Sequence, residues 1–108
     1  MDRIAISVIV PVYGVEKYIE RCVHSIFRQT MTDGVEFIFV NDCSNDRSIE
    51  LLSACIDCYP YLRHQITIIN LPRNRGLAAA RLTGLEVARG EYILNLDSDD
   101  FFEPYMLE

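Results

Sequence analysis

The first apolar run of the chain, residues 4–10 (IAISVIV), is rich in β-branched residues and too continuous for a strand with one wet face. Three more runs resemble it: residues 35–40 (VEFIFV), 65–70 (QITIIN) and 91–96 (EYILNL). Between successive runs lies enough chain for a crossover helix, so the order reads βαβαβαβ. The expected fold class is α/β, a Rossmann-like parallel sheet with helices on its faces.

The segments between the runs carry helical signals. In the first, Val15, Tyr18, Ile19, Cys22, Val23, Ile26 and Phe27 recur at spacings of three and four, opposite Glu16, Lys17, Glu20, Arg21 and Arg28. The second opens at Ser44 or Asn45, either a good N-cap, and puts Ile49, Leu52, Cys55, Ile56 and Tyr59 on one stripe before Pro60 stops it. The third is expected over residues 77–89 with Gly90 as its C-terminal cap; Ala78, Ala79, Ala80 and Gly84 leave room for close packing on the sheet. Nothing in the sequence reads as an internal repeat, a low-complexity tract or a linker.

The 108 residues, 50% hydrophobic and 24% charged, fit one globular domain with a small core. A formal net charge of −6, with Asp97, Asp99, Asp100, Glu103 and Glu108 crowded at one end, argues against nucleic acid as a partner and for a multivalent cation. The longest apolar stretches fall short of the roughly 20 residues that span a bilayer, and no basic leader precedes a cleavage site. A cytoplasmic location is expected, with the inner face of the membrane as the alternative for a full-length protein. Cys22, Cys43, Cys55 and Cys58 read as buried free thiols. The Cys55-x-x-Cys58 pair falls late in a helix on its apolar side, and a zinc site would have to draw on His24 and His64.

Right-handed crossovers put every strand's carboxyl end on one edge, where ligands of such sheets bind close to the reversal of strand order. The residues following the strands are Pro11-Val12-Tyr13-Gly14, Asn41-Asp42-Cys43-Ser44, Leu71-Pro72-Arg73-Asn74 and Asp97-Ser98-Asp99-Asp100. Each alone is ordinary punctuation, since Pro and Gly end strands and Asp and Ser cap helices. The acidic run carries more. Two carboxylates about 5 Å apart repel by roughly 3 kcal/mol at an effective dielectric near 20, and a hard divalent cation relieves that. Carboxylate oxygens suit Mg²⁺ or Mn²⁺, and Mg²⁺ takes few protein ligands beside substrate phosphates. An EF-hand alignment fails, because Phe101 and Phe102 occupy its turn and a strand, not a helix, precedes it.

Taken together, residues 7–13 (SVIVPVY), 15–19 (VEKYI), 39–46 (FVNDCSND), 74–81 (NRGLAAAR) and 90–93 (GEYI) running into Asp97-Ser98-Asp99-Asp100 resemble, in order and spacing, the N-terminal half of a family 2 glycosyltransferase with the GT-A fold. The resemblance implies that Pro11 and Tyr13 frame the nucleotide base, Tyr13 as a stacking face, with Glu16 near the same pocket. It implies that Asp42 accepts from the uracil ring nitrogen and that Arg81 approaches the diphosphate. Asp97 would lie by ribose and metal, Asp99 would ligate the metal directly, and Asp100 would support the ion or the sugar. The implied reaction is inverting hexosyl transfer from a nucleotide-diphosphate sugar, UDP-linked by expectation, to a glycan, polysaccharide or lipid-linked acceptor, with Mg or Mn as cofactor.

Three positions depart from the family pattern: Gly14 stands where asparagine is common, Cys43 where glycine is common, and Leu82 where asparagine often follows the arginine. Cys43 lacks glycine's freedom at positive φ, so a shifted loop after Asp42 is expected. The family's catalytic base falls past the metal motif, beyond Glu108. Residues 1–108 are therefore expected to be a partial domain that binds nucleotide and metal without transferring sugar, and to self-associate through an exposed edge at the fourth strand. Two rival readings stand beside this one. A Mg²⁺-dependent phosphatase-like enzyme would want a nucleophilic aspartate after the first strand, and a non-catalytic nucleotide-binding module would need no base.

Overall fold

The computed structural model describes residues 4–28, 33–44 and 46–96. The expected alternation is present: β1 (Ile6–Val12), α1 (Ile19–Phe27), β2 (Val35–Asn41), α2 (Ser48–Asp57), β3 (Ile66–Asn70), α3 (Leu77–Val87) and β4 (Tyr92–Asn95), with a 3₁₀ segment Pro60–Gln65 before β3. The strands form one parallel sheet in the order β3-β2-β1-β4. The chain steps outward from β1 to β3 and then returns past β1 to β4, so strand order reverses between β1 and β4.

Period-two alternation divides β1 and β2 between the faces. Val8, Val10, Val12, Val35, Phe37 and Phe39 meet Ile19, Cys22, Val23, Ile26 and Phe27 of α1 and Leu52, Cys55 and Ile56 of α2 in the main core. Phe27 stands edge-on to Phe37 and Tyr59, with ring centroids 5.1 Å apart in both pairs. The other face carries a smaller cluster of Ile9, Ile38, Val40 and Ala80 beneath α3. There the helix lies close to the sheet: a Cβ added to Gly84 would sit 2.6 Å from Ile9 Cγ2. Ala80 and Gly84 thus have the packing role expected of them, whereas Ala78 is exposed and Ala79 half-buried.

The strand boundaries differ from expectation in an instructive place. β1 continues through Pro11 and Val12, although it is paired on both sides. The Leu96 N–H donates to the Ile9 carbonyl, which identifies the β4-facing side; two residues on, Pro11 turns its donor-less nitrogen to that side past the end of β4 at Asn95. The expectation of strands buried on both faces holds for β1 and β2. It fails for β4, where Tyr92 is 71% exposed, and only partly holds for β3. Both are edge strands in the described sheet, so side chains on at least one face lack a covering layer.

Helix ends were the other source of error. α1 begins at Ile19, leaving Val15 in a turn and Tyr18 exposed. α2 begins at Ser48 rather than near Ser44, because Ser44 is used in the turn that precedes it; Asn45 lies outside the described residues. α3 stops at Val87, and Ala88 is already extended. Gly90 is not a cap: a Cβ there would fall 2.6 Å from the Ser7 nitrogen, so glycine permits a close crossing of two backbones. The four cysteines are free, as expected, but only Cys22 and Cys55 are buried, while Cys43 and Cys58 are exposed. Burial, the Glu20 carboxylate and Cys58 push the Cys55 thiol up to about 11, which keeps it protonated at neutral pH.

Candidate functional site

The carboxyl ends of β1 and β2 lie side by side. Val12 pairs with Asn41, and the Asp42 N–H donates to the Val12 carbonyl at 3.0 Å. Tyr13 and Asp42 are therefore the first residues past two neighbouring strands, with β1 bordering the reversal of strand order. Tyr13 is 51% exposed, Asp42 only 3%. Pro11 is buried one residue inside the end of β1, and Glu16 is exposed in the turn beyond it. Pro11, Tyr13, Glu16 and Asp42 thus share one edge of the sheet.

Asp42 is more than a strand-end acid. Its Oδ1 accepts the Arg75 N–H at 2.7 Å and its Oδ2 accepts the Gly76 N–H at 2.9 Å, while Asn74 Nδ2 donates to its backbone carbonyl at 3.3 Å. The carboxylate braces the start of α3, where Gly76 takes φ +95°. Capping of the following helix is the ordinary explanation for an acid at this position; here the carboxylate instead takes the two N–H groups that lead into α3 across the sheet edge.

Cys43 adopts φ +57°, a left-handed conformation that costs a residue with a side chain more than it costs glycine. Asn41 extends the edge network through Nδ2 to Asn70 Oδ1 at 3.0 Å and through Oδ1 to the Ser44 N–H at 2.9 Å.

A second network joins the turn after β1 to the turn after β2. The Gly14 N–H donates to Ser44 Oγ at 3.0 Å, the Val15 N–H to Ser48 Oγ at 2.9 Å, and the Glu16 N–H to Asp46 Oδ2 at 3.4 Å. Asp46 Oδ1 in turn accepts both serine hydroxyls and the Ser48 N–H. Partial burial works to raise the Asp46 pKa; hydrogen bonds from Ser48, Ser44 and Glu16 outweigh it and hold the carboxyl at about 2. Sequence reading missed this group. The Ser44-x-Asp46-x-Ser48 spacing is a recognisable turn signal, since short oxygen-bearing side chains bond nearby backbone, but it does not reveal which distant N–H groups they receive.

Arg81 is half-buried on α3. Asp97, Asp99 and Asp100 lie outside the described residues, and so does the metal motif read from the sequence. Among the described residues no group of three or more His, Cys, Asp or Glu is placed to hold a metal ion, and no helix is long and apolar enough to cross a membrane.

The parallel sheet flanked by helices on both faces places the chain among the open α/β folds, whose ligands bind at the carboxyl ends of the strands. The sequence profile of the family described as "Glycosyl transferase family 2" matches residues 7–108, and the chain belongs to that family. It is 41% identical over 104 residues to the putative glycosyltransferase EpsH of Bacillus subtilis, covering 96% of this chain and 28% of that protein. A chondroitin synthase of Escherichia coli is 37% identical over 103 residues, 95% of this chain and 14% of its own length. The chain therefore spans well under a third of these relatives.

Two solved structures fix the fold as GT-A. Staphylococcus aureus TarS 1–349 in complex with UDP superposes with a TM-score of 0.81 at 31% identity, over 95% of this chain and 30% of that one. The mannosyltransferase PcManGT from Pyrobaculum calidifontis, in complex with GDP-Man and Mn²⁺, gives 0.85 at 28% identity, over 94% and 29%.

Proposed function

We propose that the protein containing this chain transfers a hexosyl group, with inversion, from a nucleotide-diphosphate sugar to a glycan, polysaccharide or lipid-linked acceptor, and that residues 1–108 supply the donor-binding part of its GT-A domain. The observation that carries this reading is the adjacency of Tyr13 and Asp42 at the carboxyl ends of β1 and β2, beside the reversal of strand order. An exposed ring near an acid suits a base that presents both a flat face and an N–H. UDP is the favoured nucleotide, since TarS was solved with UDP and with UDP-GlcNAc. Arg81 would meet the diphosphate and Glu16 would border the base.

Asp97 and Asp99 are the proposed holders of Mg²⁺ or Mn²⁺; their all-oxygen donor set fits a hard cation that leaves positions for phosphate oxygens. When bound, such an ion supplies charge neutralisation to the departing diphosphate. The base that deprotonates the acceptor hydroxyl is not assigned to any residue of this chain.

Calorimetry on the full-length protein with UDP, GDP and Mn²⁺ tests the reading. UDP is expected to bind in a Mn²⁺-dependent way and more tightly than GDP, with Tyr13→Ala and Asp42→Ala each weakening it about tenfold or more. Metal binding indifferent to nucleotide would sink the transferase reading and favour a phosphatase-like enzyme. Nucleotide binding without turnover of any UDP-sugar, even to hydrolysis, would favour a non-catalytic module.

A further inference from the structure

We infer that Asp46, acting through Ser44 and Ser48, is a positioning residue that holds the Tyr13-bearing turn in its nucleotide-receiving shape before any ligand arrives. The inference rests on the nucleotide-site reading above and adds to it a group that never touches the nucleotide. Three successive backbone N–H groups, those of Gly14, Val15 and Glu16, converge on oxygens of the β2–α2 turn. Successive N–H groups in a turn are a common way to cradle an anion. Here they are satisfied from within the chain.

The chemistry requires an acid at the centre. A carboxylate only accepts, so both serine hydroxyl protons must point at Asp46 Oδ1, as the Ser44 and Ser48 hydrogen bonds record. Each serine oxygen then turns its lone pairs outward to receive an N–H, Ser44 from Gly14 and Ser48 from Val15. Gly14, at φ +61°, makes the turn that this arrangement captures. Removal of the acid frees the hydroxyl rotors and with them the orientation of residues 13–16. Tyr13 is half exposed and gains little fixation from packing, so its ring would then have to be ordered at the expense of binding.

The test uses the full-length protein, UDP affinity by calorimetry, steady-state donor kinetics and thermal unfolding as the folding control. Asp46→Ala is expected to weaken UDP about tenfold, the scale of one hydrogen bond to a charged group, and to raise donor KM while kcat stays within about twofold. Asp46→Asn, which keeps one acceptor oxygen, should fall between Asp46→Ala and the parent. Combined with Tyr13→Ala, Asp46→Ala should weaken UDP no further than Tyr13→Ala alone, since it acts through that turn.

If Tyr13→Ala weakens UDP and Asp46→Ala does not, or if the two losses simply add, the positioning role is wrong while the nucleotide site stands. If Tyr13→Ala leaves UDP affinity unchanged, the nucleotide-site reading itself is wrong. Should Asp46→Ala fail to fold, Asp46→Asn and Ser48→Ala carry the same comparison, and parent-like UDP affinity in both overturns the inference.

Discussion

On one face of the sheet α1 and α2 bury an aromatic and aliphatic core around Phe27, Phe37, Phe39, Ile26 and Leu52; on the other, α3 meets the sheet largely through Ala80 and Gly84. Leu77, Leu82, Leu85 and Val87 of α3 remain about half exposed. What α3 lacks in side-chain packing it makes up at its two ends. Asp42, just past β2, takes the N–H groups of Arg75 and Gly76 before the helix. Glu36, near the start of β2, takes the Arg89 N–H after it, an Arg89 Nε contact and the Ser7 hydroxyl, and Ser7 Oγ accepts the Gly90 N–H at 2.8 Å. Both acids are 3% exposed. One layer is thus glued by area and the other is clasped at its ends by two carboxylates, one near the start of β2 and one just past its end. The clasped layer depends on few groups, and each matters more.

The largest effect should come from the glued face. Phe37→Ala is expected to cost about 3–5 kcal/mol in urea unfolding, against less than about 0.5 kcal/mol for Leu85→Ala on the outer surface of α3. Glu36→Ala should come next, at about 1–3 kcal/mol, because it strands the buried Ser7 hydroxyl and the part-buried Arg89 N–H past the end of α3. Were Glu36→Ala as mild as Leu85→Ala, the clasp would not be what holds the helix. Cys43→Gly should be smaller and of opposite sign, raising stability by about 0.5–1 kcal/mol through relief of a left-handed side chain, less glycine's added entropy in the unfolded chain.

The most restricted effect belongs to Asp46, at the rim of the glued face. Its folded pKa of about 2 lies below the ordinary 3.8, so the stability it contributes is complete above about pH 4 and drains away as pH falls towards 2. Urea midpoints should fall between pH 4.5 and 2.5 by more in the parent than in Asp46→Asn. Equal falls would show that the hydrogen bonds around Asp46 do not favour its charged form.

Strand number and order of elements were legible because β-branched runs and the 3.6-residue stripes of α1 and α2 are local signals. That β1 and β2 are covered on both faces was legible from the continuous apolar runs, as the buried Val8 and Ile9, and Phe37 and Ile38, show. Element ends were not. α2 starts late because Asp46 and Ser48 bond to residues about 30 positions upstream, and α3 stops early because Arg89 is drawn to Glu36, 53 positions away. Gly90 looked like a cap because the sequence cannot show that Ser7 passes beneath it. At the candidate site, Tyr13 and Asp42 were singled out by the family resemblance, and the structure sets them just past two adjacent strand ends. The serine and aspartate oxygens bracing them were not, since a Ser-x-Asp-x-Ser stretch looks the same whether it caps its own helix or anchors a neighbouring turn.

Pro11 has a consequence for how the sheet can grow. A central strand normally offers donors on both flanks to its last residue, and an imino acid near the tip withdraws one of them on the flank where β4 lies. Past the Leu96 N–H bond to Ile9, that flank of β1 has one amide fewer to give, so any parallel neighbour pairing with β1 there would form a ladder one bond short.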